Sequence, residues 1–353
     1  MTISDRKTRQ VPVAHPPLRR ARGGGVRAAV RSRPLLSFFV LATVMSWVAW
    51  VPYILSRKGL GIWDHRFPDV LGTGQLLGVL PGAYLGPIAS ALVVTAVADG
   101  RPGLRRWVGR MWRWRVRWHW YAVALLGVPA AMLATGFVFS GGQVHAPSTT
   151  AIAAYVPALL MQMVTTGLAE EPGWRDFALP RMQRRFGPLA GTMILGPLWA
   201  VWHMPLFLTD WGGRPDADWT RPVAFAVFCV AFNVVMTWVF NGTGESLPLA
   251  TLAHVSVNNF ASVLWSEMFP TIDAGRAMQA MAAGAVVACV LVLAGTRGRL
   301  GYPAPGPRRP AMTPPHTPRQ DGTHRGPCAS STDGVCGLGG WPHVPGTVTT
   351  RFW

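Results

Sequence analysis

The sequence predicts an all-α fold, a polytopic membrane bundle of about eight transmembrane helices. Three observations carry that prediction. Charged residues make up only 14% of the 353 residues while 50% are hydrophobic. A soluble chain carries roughly 25% charged residues, so much of this surface must face something other than water. Trp, at 17, outnumbers Asp and Glu together, at 15. Apolar runs near the length a bilayer core demands, about 20 residues, recur along the chain. The apolar content excludes a chain disordered throughout. Four Cys, two of them (Cys229 and Cys289) inside apolar runs, exclude a secreted disulfide scaffold. Cys328 and Cys336 are free to pair, but nothing requires it.

The elements follow in order. Met1–Pro34 is a basic arm rich in Arg, Gly and Pro, without periodicity, and is expected to stay disordered. Leu35–Leu55 is the first span. Its apolar run is too long for a signal peptide and no small-residue cleavage site follows, so it reads as a retained signal anchor. Thr73–Ala98 and Trp120–Ser140 are spans two and three, separated by the Arg-rich stretch Asp99–His119. Ala151–Leu168 is span four, and Ala190–Leu208 is span five, with Pro188, Gly196 and Pro197 placed to delay or kink it. Pro222–Phe240, Pro248–Trp265 and Met278–Ala294 complete the set. Trp47, Trp50, Tyr53, Trp118, Trp120, Tyr121 and Trp265 gather near span ends, as amphipathic rings do at headgroup depth. The chain divides into an arm (1–34), a membrane domain (35–298) and a Pro- and Gly-rich tail (299–353), also expected to be disordered. It ends Arg351-Phe352-Trp353 and so carries no prenylation box itself.

A formal charge of +18 suggests a polyanionic partner, and nucleic acid is one class to weigh. Position argues against it. The cations, nearly all Arg, lie between the apolar runs, as in the loops of a membrane protein, so the expected partner is the lipid bilayer and not nucleic acid. Lys and Arg number nine in Met1–Pro34, three in Ser56–Gly72, seven in Asp99–His119, none in Gly141–Thr150 and four in Ala169–Leu189. The excess on alternate loops predicts a multi-pass protein of the cell membrane with both termini cytoplasmic.

Chemistry concentrates in spans four to seven. Span four ends in Glu170-Glu171-Pro172-Gly173-Trp174-Arg175, in a chain with four Glu altogether. Glu171 and Arg175 lie one helical turn apart with the acid first, the better order for pairing. Glu170 points about 100° away and is left without an obvious cation. His203 sits among apolar residues in span five; His254 and Asn258, one turn apart in span seven, share a face. A charged group at the bilayer centre costs about 2.5–3.5 kcal/mol, so these residues should turn inward and meet. Depth is the one inconsistency. Glu170 falls at the inner end of span four, whereas His203 falls about 14 residues, roughly 20 Å, into span five, which suggests that span five begins later.

Glu170-Glu171-x-x-x-Arg175, then Trp199 four residues before His203, then His254-x-x-x-Asn258, resembles the CPBP family of intramembrane proteases, the CAAX and bacteriocin-processing enzymes. Trp199 stands where that family often has Phe. The resemblance implies an endopeptidase acting on a membrane protein or peptide near the cytoplasmic membrane surface. It assigns Glu170 as general base, His203 as the group that positions the water, and His254 with Asn258 as oxyanion donors. Glu171 paired with Arg175 braces the helix. The same residues also read as a zinc site, with Glu170, His203 and His254 as three ligands and an open position, so Zn²⁺ and a metal-free mechanism both stay open. The rival class is a transporter or silent scaffold using the Glu/His cluster as a proton or ion site. There is no His-Glu-x-x-His, Gly-x-Gly-Asp or Gly-x-Ser-Gly pattern of the other intramembrane protease types.

Overall fold

A computed structural model describes residues 25–70, 75–216 and 218–303. Among them lie eight helices long and apolar enough to cross a membrane, and no strand pairing into a sheet. They are α1 (Pro34–Leu55), α2 (Gln75–Ala98), α3 (Trp118–Phe139), α4 (Thr149–Phe186), α5 (Pro188–Leu208), α6 (Thr220–Gly242), α7 (Leu247–Met268) and α8 (Ala274–Thr296). The protein is a multi-pass membrane protein, and the all-helical expectation holds. Cys328 and Cys336, with the rest of the tail from 304, and the arm before 25 lie outside the described residues. The end of the arm differs from expectation: Val26–Ser32 forms a short helix, fixed to α2 where Arg31 Nε donates to the Val97 carbonyl at 2.9 Å.

Helix boundaries follow local chemistry. Pro34 and Pro188 open α1 and α5, where a missing N–H costs nothing. Side-chain oxygens of Ser148, Ser246 and Asp273 accept from backbone N–H groups one turn on and so cap α4, α7 and α8. Ser148 Oγ also donates to Glu267 at 3.0 Å, joining the start of α4 to the end of α7.

The principal correction concerns span four. Its helix does not stop near Leu168 but continues to Phe186 and reverses at Gly187, whose φ of 84° only glycine adopts readily. Two π-helical turns, Met163–Gly167 and Pro172–Ala178, flank the short α-helical piece Leu168–Glu171. Hydropathy falls after Leu168 because the residues there are charged, yet Glu171, Arg175 and Asp176 are fully buried against other helices. The depth mismatch therefore arose at the end of span four and not at the start of span five. Glu170 and His203 lie at nearly equal separations on either side of Gly187.

α6 and α7 are the most enclosed spans. An aromatic cluster fills the space between α1, α4 and α5: Trp174 meets Trp202 at 5.6 Å and Phe38 at 5.6 Å, and Trp50 meets Trp202 at 5.0 Å. Its polar edges are satisfied internally. Trp202 Nε1 donates to Ser46 Oγ at 2.7 Å, and that hydroxyl donates to the Gly82 carbonyl at 2.7 Å. A surface helix, Gly100–Met111, follows α2 and lies against α4; Trp107 Nε1 donates to the Pro172 carbonyl at 3.0 Å, and Arg110 bonds Asp176. Arg110 also reaches Glu245 in the α6–α7 turn at 3.2 Å, so a charged layer closes this end of the bundle.

Candidate active site

Glu170 lies six residues before Asp176, about 9 Å along the helix beneath that charged layer. It is 6% exposed. It was expected to stand without an obvious cation, and its carboxylate is met by an indole: Trp199 Nε1 donates to its Oε2 at 3.0 Å. His203 Nε2 stands 4.0 Å from the same oxygen. The other ring nitrogen of His203, Nδ1, lies 2.9 Å from the Trp199 carbonyl. A carbonyl only accepts, so Nδ1 carries the hydrogen, and in the neutral ring Nε2 offers its lone pair toward Glu170. Trp211 stacks on the His203 ring at 5.7 Å with an interplanar angle of 13°, and Phe225 meets it edge-on at 5.0 Å, which fixes its orientation.

Glu171 makes a different set of contacts. Its Oε2 accepts from Arg175 Nε at 3.1 Å, the pairing that the four-residue spacing predicts, and its Oε1 accepts from His254 Nδ1 at 2.8 Å. His254 is thereby held through Nδ1. Arg175 Nη1 donates to Asn233 Oδ1 on α6, and Asn233 Nδ2 in turn donates to the Thr192 carbonyl on α5 at 2.6 Å. The guanidinium also lies 5.2 Å from the Trp199 ring centre. All four side chains of this chain of contacts are buried, three of them completely. Close approach of α4 to α7 makes it possible. A Cβ on Gly167 would fall 2.2 Å from Thr251 Cγ2, so only glycine lets Glu171, one turn later, meet His254.

Glu170, His203, His254 and Asn258 line one cavity of about 130 Å³, together with Trp199, Thr165 and Thr166. Of the sequence-predicted residues, these four are brought together. Glu171 and Arg175 do not line the cavity; they stand behind it and act on it through His254. Asn233 was missed, although a single amide inside the apolar run Phe228–Phe240 is itself a signal, because such groups in a span seldom lack a buried partner.

The three-ligand zinc arrangement needs three donors within reach of one ion. Among the described residues no three His, Cys, Asp or Glu side chains are grouped closely enough to hold a metal ion. Of the named candidates, His203 and His254 each engage a carbonyl or carboxylate through Nδ1, which leaves Nε2 of each ring and Oε1 of Glu170 as the atoms a metal would use.

Comparison with known proteins bears on the same helices. Residues 152–260 match the family described as Rce1-like, type II CAAX prenyl endopeptidase. Among curated proteins the chain is similar to CAAX prenyl protease 2 of Methanococcus maripaludis, 26% identical over 138 residues, 38% of this chain and 48% of that protein. The chain thus spans about half the length of the curated relative it matches. The resemblance to the CPBP proteases is borne out over this segment, which runs from α4 to α7 and contains every residue named in the cavity's polar wall.

Proposed function

We propose that this chain is an intramembrane endopeptidase that hydrolyses a peptide bond of a membrane protein or peptide with a Glu/His/His/Asn site and no metal. The observation that carries the reading is the approach of Glu170 Oε2 and His203 Nε2 to 4.0 Å on the wall of an enclosed cavity. Both atoms accept hydrogen bonds. A water donating one hydrogen to each sits within ordinary hydrogen-bond distance of both and turns its oxygen lone pairs outward. As that oxygen attacks the peptide carbonyl carbon, Glu170 takes one of the water protons and the carbonyl oxygen becomes an anion. His254, protonated on both ring nitrogens with its Nδ1–H held by Glu171, donates from Nε2 to that oxyanion together with the Asn258 amide, each such donor being worth on the order of 3–4 kcal/mol. Collapse of the intermediate breaks the C–N bond, and Glu170 returns its proton to the leaving amine.

Two features support the assignment over an ion pathway. Glu170, His203, His254 and Asn258 gather at one cavity, and the family that the segment matches is one of endopeptidases. The excess of Arg on alternate loops supports cytoplasmic termini, and with that orientation the charged layer beside Glu170 faces the cytoplasm. Cells carrying Glu170→Gln in place of the intact chain test the reading, since the amide keeps shape and loses the base. Peptide termini in membranes and medium are compared by mass spectrometry. At least one membrane-derived terminus should vanish with Glu170→Gln, with protein abundance unchanged. Identical terminus profiles would overturn the proposal.

A further inference from the structure

On the side of the bundle closed by the charged layer, the end of α2, the surface helix Gly100–Met111 and the end of α4 enclose a second cavity, of about 230 Å³. Its wall holds four guanidinium groups, those of Arg106, Arg110, Arg181 and Arg184, against one carboxylate, Asp99. That carboxylate is already bonded to Arg181. Arg181 is held further by Nη1 donating to the Phe177 carbonyl at 2.9 Å and by lying 3.8 Å over the Phe177 ring. Arg110 is fixed by Asp176 and Glu245. Two cations are therefore pinned in place. The other two, Arg106 and Arg184, are exposed at the rim and pair with no acidic group among the described residues.

A second, independent feature points to a ligand. Thr95 lines the same cavity and is 2% exposed, yet its hydroxyl has no hydrogen-bond partner among the described residues. A buried hydroxyl without a partner is unfavourable, and a group that supplies the missing bond is correspondingly favoured.

We propose that this cavity binds a phosphate group, with the headgroup of an anionic membrane lipid as its source. Excess positive charge, planar guanidinium forks and a hydroxyl donor are what tetrahedral phosphate oxygens require. Position favours a lipid over a soluble phosphate. The apolar run of α2 ends at Ala98, so Thr95 and Asp99 straddle the depth at which hydrocarbon gives way to headgroups. Acyl chains attached to a phosphate at this depth can remain alongside α2, where Leu92 and Val93 are exposed.

The test uses the full chain in phosphatidylcholine nanodiscs. In one arm a few per cent of phosphatidylglycerol is added and bound lipid is counted by native mass spectrometry; in the other, inorganic phosphate is titrated and followed by calorimetry. Each cation near a membrane surface contributes about a fivefold gain in affinity. R106Q/R184Q should thus lose roughly 25-fold in phosphatidylglycerol binding. Thr95→Val, which conserves shape, should also weaken it, while Arg105→Gln, a neighbouring exposed cation outside the cavity, should cost no more than the roughly fivefold of a single surface cation. A lipid source predicts this pattern in the first arm with little inorganic phosphate bound in the second. The same loss in the phosphate arm alone would keep the phosphate site and reject the lipid. Equal binding by the intact chain and R106Q/R184Q in both arms, or a loss as large with Arg105→Gln, would overturn the proposal.

Discussion

Replacing Arg175 by Met removes every N–H of a guanidinium that is fully buried, while keeping a side chain of similar length. Three interactions go: the 3.1 Å bond to Glu171, the bond to Asn233 and the packing over Trp199. Glu171, also fully buried, keeps His254 Nδ1 as its remaining partner. Removing one member of a buried ion pair leaves an uncompensated charge and costs about 3–5 kcal/mol, far more than an exposed pair is worth. The expected loss for Arg175→Met is therefore about 4 kcal/mol of unfolding free energy in mild detergent. The double substitution Glu171→Gln/Arg175→Met removes both charges and should recover at least about 2 kcal/mol of it. Cleavage should remain low in the double variant, because an amide holds His254 less well than a carboxylate does. Additivity of the two single changes within about 0.5 kcal/mol would show that the pair does not couple, and the account of a braced His254 would fall with it.

Three further outcomes follow from the same contacts. Chelators should leave cleavage unchanged in the metal-free mechanism, and purified protein holding stoichiometric zinc, lost together with activity on chelation, would refute it. Truncation after Gly298 should be less stable than truncation after Pro303 by about 1.5–3 kcal/mol. Leu300 is fully buried, and its carbonyl accepts from Asn241 at 2.9 Å; equal unfolding midpoints would show that this packing is idle. Reporter fusions after Leu55 and Thr150 should report the outside of the cell and those after Asp99 and Leu189 the inside; a cytoplasmic signal after Thr150 would reverse the proposed orientation.

The spans were legible because crossing a bilayer imposes a length and a composition that a one-dimensional pattern records, and each of the eight apolar runs overlaps one long helix of the structure. The end of α4 was not. Hydropathy reports what a residue prefers to touch, and at Glu171, Arg175 and Asp176 the preference for water is met by other protein groups, so a helix continues where the pattern announces a surface. The same limit applies to partners. The i, i+4 spacing of Glu171 and Arg175 is local and could be read directly. The bond from Glu171 to His254 links residues far apart in sequence, and depends on a glycine, Gly167, that no motif singled out.

Trp199 shows how much a side chain's direction decides. As a letter in a motif it reads as one aromatic in place of another. In the structure its indole N–H donates to the Glu170 carboxylate, and its backbone carbonyl sets the tautomer of His203. One residue on α5 thus orients both members of the proposed water-holding pair, the carboxylate from its ring and the imidazole from its main chain one turn below. A Phe at this position would keep the second contact and forfeit the first. A family that often places Phe there must therefore satisfy its carboxylate by other means. In this chain the indole bond commits Oε2 to a fixed direction beside His203 Nε2, so the oxygen that holds the water is also the one placed to receive its proton when it attacks.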